Sequence, residues 1–202
     1  MARYSGYISV VHDTYNNWRN ATDGNGYDVD GYYGCQCWDD ISLFYFNVGF
    51  PTGYPLLTNS QMYTMWNNRN QNVSYNGTTY FDIITNLADI KQGDIMVFDG
   101  TQANPYGHAG FADQDFATWI PDPNDPYEFP ILSQNNGGTS DPAGGSYMNI
   151  HGYDYRLFLG GFRYRDWHTT PPTPPTPSHY RKGVPSAKFP FVLYARNLRN
   201  KR

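Results

Sequence analysis

The strongest constraint on the fold is one apolar helical stretch followed by a series of short strand-like segments. In Cys37 to Val48, Trp38, Ile41, Tyr45 and Val48 recur at helical spacing, Asp39 and Asp40 sit in a first turn that favours acids, and Gly49-Phe50-Pro51 stops the pattern. A second helix is predicted over Ser60 to Asn67. From about residue 79 the signal becomes that of strands: Asp94 to Phe98, Gly107 to Ala112, Phe129 to Asn135 and Leu157 to Tyr164, each bounded by Gly, Pro, Asn or Asp. Helices first and strands later, with hairpin-length gaps, predict an α+β fold with N-terminal helices and an antiparallel sheet.

Composition narrows this further. Only 16% of the residues are charged, while 19 Tyr, 12 Phe, 5 Trp and 20 Gly replace the usual Glu, Lys and Leu, which excludes a coiled coil or helix bundle. The aromatic side chains can fill a core, so the mean hydropathy of -0.67 does not signal disorder. With 202 residues the chain makes one domain and a short appendage. The break between them is sharp: residues 168 to 177 hold five prolines, a semi-rigid polyproline spacer, so the domain is expected over 1 to 167. Residues 178 to 202 form a basic tail with one apolar patch, Phe189 to Tyr194.

Charge follows the same division. All 18 acids lie before the tail, and 17 of them are aspartates, which suit turns, caps and cation sites. Half of the 14 Lys and Arg residues lie in the tail. A basic aromatic tail fits contact with an anionic polymer such as nucleic acid. The N-terminus lacks the apolar core of a signal peptide, and no run approaches the ~18 apolar residues of a membrane span, so no membrane insertion is expected. Cys35 and Cys37, two residues apart, are poorly placed to bridge each other, so any cysteine chemistry should be that of a thiol.

Cys37 stands at the predicted start of a helix, where free N–H groups and the macrodipole favour a thiolate. His108 supplies a base on a glycine-flanked strand, where Gly107 would leave the imidazole face accessible. Alternation from Ile131 places Ser133 and Asn135 on one face, a polar partner for that imidazole. Cysteine at a helix start, then histidine and an amide on successive strands, is the order of papain-like thiol hydrolases.

Gln36-Cys37-Trp38-Asp39, Gln92 to Phe98, Gly107-His108-Ala109-Gly110 and Ile131 to Asn135 together resemble the CHAP domain of peptidoglycan hydrolases, and within it the calcium-binding staphylococcal phage endolysins. The resemblance runs over roughly residues 25 to 165. It implies a papain-related sheet of about six strands under N-terminal helices, with Cys37 as nucleophile, His108 as general base, Asn135 orienting the imidazole, and Gln36 with the Cys37 N–H stabilising the oxyanion. Ser133 stands where related endolysins carry a glutamate two residues before the asparagine, which makes Asn135 the expected third member. The implied substrate is bacterial peptidoglycan, cut at an amide bond as an endopeptidase or amidase. A phage protein of this kind acts at the cell wall, from the virion or from the host cytoplasm.

Asp28-Val29-Asp30-Gly31-Tyr32-Tyr33-Gly34, with Asp39 beyond it, resembles the calcium loop of that endolysin subgroup. Three aspartates about a tight glycine turn offer hard oxygen ligands for Ca²⁺, and the resemblance adds the carbonyls of Tyr32 and Gly34. Asp39 and Asp40 flank Cys37, so unneutralised they should raise the thiol pKa, and Ca²⁺ on Asp39 would remove that penalty. Two other readings stand beside these: a zinc site of His108, Asp113 and Asp115, and a virion structural protein that keeps the fold for docking. Trp119, in the insertion between the histidine and asparagine strands, is a candidate for stacking on a sugar ring.

Overall fold

The computed structural model describes residues 8–136 and 144–168. The helices are α1 (Tyr15–Thr22), α2 (Cys37–Val48), α3 (Tyr63–Asn67) and α4 (Arg69–Asn72). The strands are β1 (Ser74–Tyr75), β2 (Thr78–Thr79), β3 (Phe81–Ile84), β4 (Ile95–Phe98), β5 (His108–Ala112), β6 (Glu128–Ser133), β7 (Asn149–Asp154) and β8 (Phe158–Tyr164). β1 and β2 form a small hairpin. The other six build one antiparallel sheet in the order β3-β8-β4-β5-β6-β7. This is the predicted α+β architecture. None of the described helices is long and apolar enough to cross a membrane.

Helix α2 is the pivot. It is apolar nearly all round, and Ile41, Leu43, Phe44, Tyr45 and Val48 are all buried, as suits a helix lying inside a core. Its start is fixed by the Asp39 carboxylate, which accepts the Gln36 N–H at 2.9 Å, one half of a capping box. Its end is set by Gly49, whose φ of 112° the left-handed terminus requires. Phe44 meets Trp18, Phe111 and Tyr164 edge-on at centroid distances of 5.0, 5.2 and 5.3 Å, so the aromatic surplus is spent on the core.

Strand alternation gives the sheet two buried faces. Ile95, Val97, Ala109 and Phe111 join the cluster around α2, whereas Met96, Phe98, Ala112, Phe129 and Ile131 join a second cluster. Phe116, Trp119, Tyr155 and Phe158 pack against that second face. Asp94, fully buried ahead of β4, is held by Arg163 through two bonds of 3.0 and 2.7 Å.

Three differences from the sequence reading have physical causes. The helix predicted from Ser60 begins at Tyr63, because Asn59 and Ser60 both have positive φ (54° and 58°). Helix α1 was not predicted: it buries only Tyr15, Trp18 and Thr22, a stripe too thin to stand out from its asparagine-rich remainder. β7 was missed because its sequence, Asn-Ile-His-Gly-Tyr-Asp, is a half-buried edge strand without apolar alternation. Of the expected spacer, residues 168 to 177, all but His168 lies outside the described residues, as does the basic tail.

Candidate active site

Cys37 is the first residue of α2 and its sulfur is buried against β5, where the Ala109 N–H donates to it. The sheet makes room for this contact. β5 pairs with β4 as far as His108, but its registered pairing with β6 is confined to Phe111↔Leu132 and Ala112↔Ile131. The start of β5 is therefore laddered on the β4 side alone, and its next residue after His108 faces the thiol.

His108, only 2% exposed, has Nε2 placed 2.9 Å from Ser133 Oγ, itself fully buried at the end of β6. The phenol ring of Tyr153 on β7 lies against the imidazole, centroids 4.5 Å apart and planes 16° from parallel. The expected open imidazole face is thus covered. Gly107 has a different purpose: its φ is 72°, and a Cβ there would lie 2.6 Å from the Phe98 carbonyl, so it serves the turn into β5. Gly110 makes space for Ser133, since a Cβ on it would lie 2.8 Å from that of Ser133.

The expected role of Asn135 as the imidazole's partner needs correcting. β6 ends at Ser133, and Asn135 turns out of the strand with φ 56°, so the alternation that put it on the histidine face stops two residues short of it. Its amide donates instead to Gln36 Oε1 at 2.7 Å. Gln36 in turn donates through Nε2 to the Tyr33 carbonyl at 2.7 Å, which ties the aspartate loop to the residue that caps the helix. Glu128 lies at the opposite end of β6.

Gln134 was not singled out in the sequence, yet it joins the halves of the site. Fully buried, it accepts from Tyr27 N at 2.6 Å, donates to the carbonyls of Tyr27 and Gln36, both at 2.9 Å, and sends its own N–H to Asp40. Only the turn after β6 brings it there.

The electrostatics differ from the expectation of a ready thiolate. Burial, then the charge of Asp40 and less so that of Asp39, pushes the Cys37 thiol up to about 12, outweighing the helix terminus. Burial, with His151 adding to it, pushes His108 down to about 3. Asp40 is itself held well above the usual carboxylate range by complete burial. Thiol and imidazole therefore both rest neutral at neutral pH.

Asp28, Asp30 and Asp39 converge, each offering a carboxylate oxygen within 4.8 Å of the others. Asp39 accepts from Val29 N and Gln36 N at 2.8 and 2.9 Å, and Asp30 from Tyr32 N at 2.8 Å. Positive φ at Gly31, Tyr33 and Gly34 folds the loop around them, with Tyr32 inside it. Burial first, and then neighbouring aspartates, holds Asp39 up to about 7. Asp28 Oδ1 is buried without any hydrogen-bond partner, which is costly unless a cation meets it. The cluster could hold a metal ion, and no other group of three such ligands forms among the described residues. The zinc reading fails geometrically: Asp113 binds Tyr15 and Arg19, and Asp115 accepts from Gln92 N. Trp119 packs on Phe116, Phe129 and Tyr155 at about 5.5 Å, which makes it part of the second core face. Cys35 is fully buried beside Gly26 and Tyr147.

No family model matches the chain. Over 134 residues it is 32% identical to the D-alanyl-L-alanine endopeptidase of Streptococcus phage B30, a match covering 63% of this chain and 26% of that protein. The chain therefore matches about a quarter of the length of that relative. The crystal structure of the wild-type endolysin LysIME-EF1 superposes with a TM-score of 0.51 at 22% identity, covering 75% of this chain and 64% of the other. The chain is thus similar in sequence to a phage endopeptidase, and its fold is that of an endolysin.

Proposed function

We propose that the chain is a phage peptidoglycan hydrolase of the CHAP type, which cuts an amide bond of the Gram-positive cell wall through Cys37. The observation that carries this reading is the convergence of a cysteine at the first position of a helix, a buried histidine and a cluster of three aspartates. The 32% identity to a phage endopeptidase supports it and favours a peptide bond over the N-acetylmuramoyl amide.

Since His108 Nε2 is engaged by Ser133, Nδ1 is the nitrogen left to take the thiol proton. With both groups neutral at rest, that transfer accompanies attack rather than preceding it. The sulfur bonds to the amide carbonyl carbon, and the carbonyl oxygen becomes an oxyanion held by the Cys37 N–H and the remaining amide hydrogen of Gln36. The imidazolium returns its proton to the departing amine as the C–N bond breaks, leaving a thioester. Water, deprotonated by His108, then releases the acid and restores the thiol.

The aspartate cluster fits Ca²⁺, with Asp28, Asp30 and Asp39 as side-chain ligands and the carbonyls of Tyr32 and Gly34 completing the shell. Bound there, the ion would neutralise the carboxylates and order the loop that holds Gln36 through the Tyr33 carbonyl. Its effect on the thiol is mainly through loop order, because Asp40, outside the cluster, has the larger influence on Cys37. The protein would act at the wall from the virion or after synthesis in the host, with residues 168–177 as spacer and 178–202 docking to a virion, wall polymer or nucleic acid.

The test is clearance of purified streptococcal and staphylococcal walls by the full chain, with calcium and after chelation. Clearance that falls on chelation and returns with calcium, but not magnesium, is expected. Absence of clearance on every wall would return the weight to a structural role in the virion.

A further inference from the structure

Among the described residues, no carboxylate or amide side chain is hydrogen-bonded to His108. Its edge meets the Ser133 hydroxyl, and its face meets Tyr153. The Tyr153 phenol is hydrogen-bonded to the Asn104 side chain, and the same Asn104 donates to the Gly107 carbonyl at 3.0 Å. One amide therefore fixes both the stacked ring and the turn that delivers His108. The second flank of Tyr153 is filled by Phe98, at a centroid distance of 4.6 Å, so the ring has little freedom to leave.

We propose that Ser133 and Tyr153 form an uncharged clamp that positions His108, in the place given to Asn135 on sequence grounds. The inference rests on the thiol-hydrolase reading above. The clamp serves the reaction in the tautomer in which Nε2–H donates to Ser133 and Nδ1 stays bare for the thiol proton. A hydroxyl can accept that bond without adding charge. The site thus avoids burying a further carboxylate beside Asp39 and Asp40. The stacked phenol blocks rotation about the ring's outer bond, which a hydroxyl alone does not. Both are positioning residues; neither is placed to touch the scissile bond.

The experiment combines kinetics with nitrogen NMR of His108 in the full chain, the NMR recorded without substrate. In the wild type a single Nε2–H tautomer is expected. Ser133→Ala should give mixed tautomers and a kcat on streptococcal peptidoglycan lower by roughly tenfold to a hundredfold, no more than the lower end of the ~10²–10⁴ attributable to a positioned base, with KM within about twofold. Tyr153→Phe keeps the ring and should retain most of kcat, whereas Tyr153→Leu should lose about tenfold. Tyr153 is on an edge strand and half-buried, so that arm does not depend on the buried Ser133 position tolerating change. A single tautomer and wild-type kcat in Ser133→Ala would overturn the clamp, as would equal losses in Tyr153→Phe and Tyr153→Leu. Activity surviving in Cys37→Ala would instead overturn the thiol reading, and the tautomer result would stand apart from it.

Discussion

Two segments meet at the candidate site, and they are built on opposite principles. The loop and helix start from Asp28 to Asp40 gather four carboxylates within thirteen residues, one with a buried oxygen lacking a partner and three with pKa values raised chiefly by burial. The sheet end, by contrast, brings His108, Ser133 and Tyr153 from three strands into an uncharged contact in which the imidazole is bonded and stacked. The first segment needs protons or a cation to balance its charge, so its order follows the solution conditions. The second is set by packing and register. Gln134 and the Gln36–Asn135 bond tie them together, which is how conditions sensed by the loop would reach the chemistry.

This contrast can be broken at several points. The largest effect should come from His108→Ala, which removes the base the sheet end exists to place: a fall in wall hydrolysis of about 10²–10⁴ is expected by amino-group release, with or without calcium. A loss under tenfold would show that the sheet end is scaffold. Next comes the loop. Chelation should lower activity about tenfold and depress the thermal midpoint, since a ligand at 100 times its Kd contributes about 2.7 kcal/mol. Calorimetry on a doubly substituted Asp28→Asn, Asp30→Asn chain should show no calcium response, and a retained response would place the ion elsewhere.

A third effect concerns acid. The folded His108 is held down to about 3 against an ordinary imidazole value of 6.5, so below about pH 6.5 the unfolded chain takes up a proton that the folded chain refuses. Stability from this group is complete above pH 6.5 and falls as pH drops toward 3, by up to ~1.4 kcal/mol per pH unit. Denaturant melts of wild type and His108→Gln between pH 7 and 4.5 should show the variant gaining on the wild type with acid. Parallel curves would mean that the imidazole is not held neutral. The smallest effect is expected from Asn135→Ala. Its amide steadies Gln36 and not the imidazole, so a loss of a fewfold, well below that of Ser133→Ala, should appear in the same hydrolysis assay.

The same contrast explains what the sequence disclosed. The aspartate loop, the cysteine and the helix it begins are neighbours along the chain, so their spacing carried the reading and the structure brings the three carboxylates together. His108 was legible because its short apolar strand begins directly after Gly107. Its partners were not. Choosing between Ser133 and Asn135 depends on where β6 stops, and the left-handed turn at Asn135 leaves no mark in the alternation. Tyr153 reaches His108 only through β7, whose pairing with β6 no local pattern announces. Gln134 looked like any polar loop residue until the fold closed over it.

The central claim is that the Cys37 thiol cuts a wall amide. Its most direct test is digestion of purified streptococcal peptidoglycan by wild type and Cys37→Ala in calcium, with the released fragments identified by mass spectrometry. New amino termini at one peptide bond in the wild-type digest, absent with Cys37→Ala although the variant keeps its thermal midpoint, are the predicted result. Fragments released equally by Cys37→Ala, or bonds cut elsewhere than at amides, would contradict it.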